Sequence, residues 1–110
     1  MNNASFKKAV DDLKFVYSEN TLSIIFKNNS ILMGVVGEFN NNLKELEKII
    51  NTSIYSRGNS ILVKSTPKKN ELVKNAIVFL FDQFINNGTI EKKDIISSVN
   101  KFMIEEKTDK

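Results

Sequence analysis

Residues 37–63, GEFNNNLKELEKIINTSIYSRGNSILV, constrain the fold more than any other stretch of the chain. They open on a glycine and a polar, asparagine-rich loop. Leu43, Leu46, Ile49 and Ile50 then recur at helical spacing while Lys44, Glu45, Glu47 and Lys48 fall on the opposite side. That pattern predicts an amphipathic helix over 40–50, with Asn51 as its stop. Two short β-type runs follow, 54–57 and 60–65, separated by Gly58-Asn59, two residues that tolerate the positive φ of a hairpin turn. A loop, a helix and a hairpin in so short a span point to the α+β class.

The flanking segments extend this pattern. Residues 21–26, TLSIIF, form a β-branched and apolar run bounded by asparagines and read as a strand. Residues 31–36 are open to two readings. As a strand they would be a second buried β-segment; as a helix they place Ile31, Leu32, Val35 and Val36 on one side, with Ser30 as N-cap. Thr66-Pro67 predicts the start of the longest helix, with proline in its favoured first turn. Leu72, Val73, Ala76, Ile77, Leu80 and Phe84 give this helix one broad apolar face, and Val78, Phe81 and Ile85 give it a second. A helix apolar on two sides needs two neighbours: the sheet, and a final helix over 90–105 that begins after Gly88 with Thr89 as cap. Before residue 21, the positions Phe6, Ala9, Val10, Leu13 and Val16 suit one face of a helix over 5–17, an arm that either docks on the domain or stands apart.

The chain of 110 residues is long enough for one domain, and its 41% hydrophobic and 26% charged residues are globular proportions. It holds no cysteine and no histidine. Thiol nucleophiles, disulfides, zinc–cysteine clusters and the commonest general base are therefore excluded. Asp11-Asp12 and Glu105-Glu106 are adjacent carboxylates, which do not face each other on a helix, so no catalytic constellation is expected. Nor is a cofactor or metal. Lys7, Lys8, Asp11, Asp12 and Lys14 interrupt the opening apolar residues, and no run approaches a membrane span, so a cytoplasmic protein is expected. Net charge is only +3, and its clustering says more than its total: Arg57, Lys64, Lys68, Lys69 and Lys74 meet one acid, Glu71, between 57 and 74.

Strand, short helix, glycine loop, helix, strand, strand, helix is also the order of K-homology (KH) nucleic-acid-binding modules, which this chain resembles. The resemblance selects the helical reading of 31–36. In KH modules the loop reads Gly-x-x-Gly, and the two helices beside it grip the nucleic-acid backbone. Gly37-Glu38-Phe39-Asn40 stands at that loop here, with Leu43 at the apolar position three residues on. Absent side chains let a phosphate approach, and backbone N–H groups at a helix start bind anions. The chain departs from the pattern at Asn40, which replaces the second glycine, and at Glu38, which sets an acid beside the phosphate path.

These departures are similar to the N-terminal domain of PhoH-like ATPases. Gly37, the asparagine-rich loop, Asn42-Leu43-Lys44, Leu46-Glu47, Ser56-Arg57-Gly58-Asn59, the long helix from Asn70, and Gly88-Thr89-Ile90 with Asp94-Ile95 carry the resemblance over residues 21–99. It implies a three-stranded sheet packed on one side by helices, with an extra C-terminal helix. The implied divisions are an N-terminal helical arm (1–20), a KH-like domain (21–104) and a flexible tail (105–110). PhoH-like proteins are cytoplasmic P-loop ATPases associated with RNA metabolism. Their ATP and Mg²⁺ belong to a Gly-x-x-x-x-Gly-Lys-Ser/Thr loop that this sequence does not contain.

The expected role is thus an accessory module that binds single-stranded RNA for an ATPase domain encoded beyond Lys110. Gly37, Asn40, Lys44, Arg57, Lys64, Lys68 and Lys69 are the candidate contacts, and Tyr55 or Phe39 the candidate stacking residues. Hairpin geometry explains Gly58 and Asn59 but not Arg57. The alternative is a protein-interaction or homo-oligomerisation module, using the two-faced helix or the stripe of Phe6, Val10 and Leu13.

Overall fold

Alternation along the central strands sets the two layers of the fold. The computed structural model describes the backbone of residues 11–108 and the side chains of residues 11–100. Two antiparallel hairpins, β1 (Leu13–Ser18) with β2 (Thr21–Phe26) and β3 (Ile54–Arg57) with β4 (Ser60–Lys64), join through β2 and β4 into one four-stranded antiparallel sheet of order β1-β2-β4-β3. Leu22, Ile24 and Phe26 of β2 point to the same face as Ile61 and Val63 of β4, and all five are buried. Leu13 and Ile54 extend that face onto the two outer strands.

Three helices lie against this face, α1 (Asn29–Val36), α2 (Asn41–Ile50) and α3 (Pro67–Asn87), and a fourth among the described residues, α4 (Lys92–Thr108), packs on α2 and α3. Segment 31–36 is helical, as its i, i+3, i+4 spacing allows. Its cap is Asn28 rather than Ser30: the Asn28 carboxamide oxygen accepts from the backbone N–H groups of Ser30 and Ile31. Thr66 caps α3 through Lys69 N–H, with Pro67 in the first turn, and Gly88 closes α3 at φ 76°. The two apolar sides of α3 are met by the sheet and by the other helices. Phe81 packs on Phe26 of β2 with ring centroids 6.3 Å apart, and Ile95 and Val99 of α4 are buried in the same core.

The fold corrects the sequence reading in three places. Residues 13–17 form a strand, not part of a helix; the 5–10 portion of that expected helix lies outside the described residues. A helical stripe through Leu13 and Val16 leaves Phe15 unused. The strand instead places Phe15 beside Leu13 on the covered face, where the Lys74 ammonium lies 5.0 Å from its ring centroid. The sheet accordingly has four strands rather than three, and the boundary expected at residue 20 falls inside a hairpin. The last helix begins at Lys92, not next to Thr89. The Asp94 carboxylate accepts from Glu91 N–H and holds this start. The helix then runs through Thr108, so the tail expected from residue 105 begins within it.

Candidate nucleic-acid interface

The expected loop, 37–40, joins α1 to α2. Gly37 ends α1 at φ 81°, donating its N–H to Met33 O, and a single 3₁₀ turn (Glu38–Asn40) follows. A Cβ on Gly37 would stand 2.7 Å from the Asn42 carboxamide nitrogen, which in turn donates to Val35 O. The flank of Gly37 on which a side chain would sit is therefore already filled by Asn42. Phe39 (φ 54°) and Asn40 (φ 59°) both take the left-handed conformation. This is common for asparagine and costly for phenylalanine. The Phe39 ring is nevertheless 83% exposed.

An open groove of about 400 Å³ separates this loop from the β3–β4 turn. Gly37, Asn40 and Phe39 line one side with Met33, and Ser56 and Gly58 line the other. Its single charged lining residue is Glu38. Arg57, between Ser56 and Gly58 in sequence, does not line it. Strand alternation turns Arg57 to the opposite face of the sheet.

That opposite face has no helix over it among the described residues. Side chains here fall in rows across the strands. One row is Lys14, Ile25, Ser60 and Arg57; the next is Val16, Ser23, Leu62 and Tyr55; a third is Ser18, Thr21 and Lys64. No side chain in the three rows is acidic. Tyr55 is 58% exposed and Val16 39%, whereas Leu22, Ile24, Ile54, Ile61 and Val63 of the covered face are buried. Lys14, Arg57 and Lys64 are exposed and make no ion pair among the described residues.

The remaining candidate lysines lie elsewhere. Lys44 and Lys48 line a shallow depression of about 460 Å³ with Asn51, Thr52 and Ser53 at the C-terminal end of α2. Lys69 reaches the rim of that depression, donating from Nζ to Asn51 O at 3.0 Å, so it clasps α3 to the end of α2. Lys68 shares the first turn of α3 with Lys69.

The seven candidates thus fall into three groups: Gly37 and Asn40 in the groove, Arg57 and Lys64 on the uncovered sheet face, and Lys44 and Lys69 around the end of α2, with Lys68 nearby. Lys14 is absent from the residues the sequence nominates, because a helical reading of 5–17 gives it no neighbours. The signal was the period-two alternation of Leu13 and Phe15 with Lys14 and Val16. Among the described residues no group of three or more acidic side chains is placed to hold a metal ion, and no helix is long and apolar enough to cross a membrane. Compared with protein-family models, with curated proteins and with solved structures, the chain gives no match.

Proposed function

We propose that this chain is a single-stranded RNA-binding module that serves a PhoH-like ATPase. The observation that supports this reading is that Arg57 and Lys64 share one sheet face: two exposed cations that, among the described residues, have neither an ion-pair partner nor a helix over them, with the exposed Tyr55 in the row between theirs. Cations that track phosphates beside an aromatic ring that stacks on bases form the general chemistry of single-strand recognition. The order of elements from β2 to α3, with a glycine-started loop between two helices, agrees with the KH-like reading of the sequence.

A fluorescence-anisotropy titration with short single-stranded RNA at low and moderate salt tests this. Binding should weaken as salt rises, because each neutralised phosphate releases counterions. Arg57→Ala should bind more weakly than the parent. Equal binding by Arg57→Ala and the parent would sink the assignment of Arg57.

A second reading, a protein-docking module, is favoured by one observation. Phe39 and Met33, 83% and 64% exposed, flank a groove whose lining contains no cation. If no RNA binds at low salt, this groove becomes the surface to pursue.

A further inference from the structure

We infer that the nucleic acid lies across the uncovered face of the four-stranded sheet, from β3 to β1, and that β1 supplies part of the site through Lys14. This rests on the nucleic-acid reading above and locates it. The groove beside Gly37 is the rival surface.

The geometry favours the sheet for three reasons. The first is charge. Lys14 and Arg57 end the same cross-strand row on opposite edges of the sheet, and Lys64 stands on β4 in another row. Among the described residues none of the three has an ion-pair partner and no acid stands in the three rows, whereas the groove offers Glu38. Three inter-strand spacings separate the Lys14 and Arg57 backbones, about 14 Å. A strand crossing the sheet would therefore meet a cation at each edge.

The second reason is the surface between those cations. Tyr55 sits directly across from Leu62, and Ser23 separates Leu62 from Val16. This row gives a base an exposed aromatic ring with apolar neighbours. Such stacking tolerates any base, because every base has a π-face. Nothing in the row offers a set of paired donors and acceptors, so the site reads phosphate spacing and base planes rather than sequence.

The third reason is what Tyr55 lacks. A half-buried tyrosine in a core anchors its hydroxyl. Tyr55 is exposed, and its hydroxyl makes no hydrogen bond among the described residues. Its ring contributes little to holding the fold and is free for a ligand.

The test measures anisotropy of fluorescein-labelled oligouridylate against the full chain across a salt series. Lys14→Gln, Lys64→Gln, Tyr55→Ser and Tyr55→Phe are compared with Lys92→Gln, whose lysine pairs with Glu45 on the helical side. Each of Lys14→Gln and Lys64→Gln should lower the slope of log affinity against log salt by about 0.7. Tyr55→Ser should lose roughly 5- to 150-fold in affinity with the slope unchanged, the range for one stacked base. Tyr55→Phe should retain binding, and Lys92→Gln should match the parent. Circular dichroism on every variant separates loss of a contact from loss of the fold.

If the parent binds but Lys14→Gln and Tyr55→Ser bind equally well, the sheet-face site is overturned while RNA binding stands. Loss in Lys44→Gln with retention in those two would overturn it as well and move the ligand to the helical side. If polyglutamate competes as effectively as oligouridylate, the face accepts any polyanion, and the stacking role of Tyr55 falls. A parent that fails to bind at low salt removes the nucleic-acid reading itself.

Discussion

Gly34 of α1 and Phe84 of α3 occupy adjoining space with no room for one more carbon: a Cβ on Gly34 would stand 2.2 Å from Phe84 Cζ. The glycine is there for packing, since its φ lies outside the left-handed region. Gly34→Ala gains helix propensity but forces the Phe84 ring aside. Overpacking of this kind costs about 1–3 kcal/mol, more than the roughly 1 kcal/mol that alanine returns. Urea denaturation should show a net loss of stability. Phe84→Leu in the same chain should recover part of it, giving a non-additive double-mutant cycle.

Asn70 joins the start of α3 to the sheet. It is 4% exposed, and its amide nitrogen donates to Asn20 O at 2.8 Å and to Ser65 O at 3.4 Å. Asn20 lies just before β2 and Ser65 just after β4. Asn70→Ala leaves Asn20 O, which also accepts from Ser65 N–H, better served than Ser65 O. A loss of about 1–3 kcal/mol is expected, measured as a lower urea midpoint with an unchanged m-value.

Glu47 performs a similar service at the other end of the sheet. Its carboxylate accepts from Ile54 N–H at 2.7 Å, where β3 begins, while its own carbonyl accepts from Asn51 and Thr52. Glu47→Ala should cost about 1–2 kcal/mol, because a bond to a charged acceptor is lost at a part-buried amide. Hydrogen exchange should show the Ile54 amide losing protection more than the amides of β2.

Among the described residues Phe39 is the one exposed large apolar side chain held at positive φ. Phe39→Asn places a residue that tolerates this conformation there and exposes less apolar surface. Stability should rise by a few tenths to about 1 kcal/mol, read as a higher thermal midpoint. A phenylalanine retained against that gain is suited to contact something outside the fold. Phe39→Asn should therefore weaken docking of any partner that uses the groove without weakening the fold.

The elements with strong local periodicity were legible in the sequence. Leu43, Leu46 and Ile50 fix α2, and Gly58-Asn59 fixes the β3–β4 turn, because in each the local preference and the buried face agree. β1 was not legible as a strand. Leu13 and Val16 satisfy helical spacing as well as strand spacing satisfies Leu13 and Phe15, and only pairing with β2 decides between them. The turn itself gives little help, since Glu19 adopts φ 55° without being glycine or asparagine. The candidate site suffered from the same gap. Arg57 and Lys64 were visible from charge, but their common face depends on register, and the Lys14 edge depends on the strand that was misread. The clasp between Lys69 and Asn51 is a long-range contact that no spacing announces.

The hairpin of β1 with β2 has a practical corollary. All six residues of β1 pair with β2, from Leu13 opposite Phe26 to Ser18 opposite Thr21. A polypeptide trimmed to begin at Thr21 would keep the core strand yet strip its outer edge. The liberated N–H and C=O groups of β2 would then form a flat, apolar template for another chain. Precipitation of such a trimmed protein would report an unprotected strand, not a missing ligand, and would be cured by restoring a few residues.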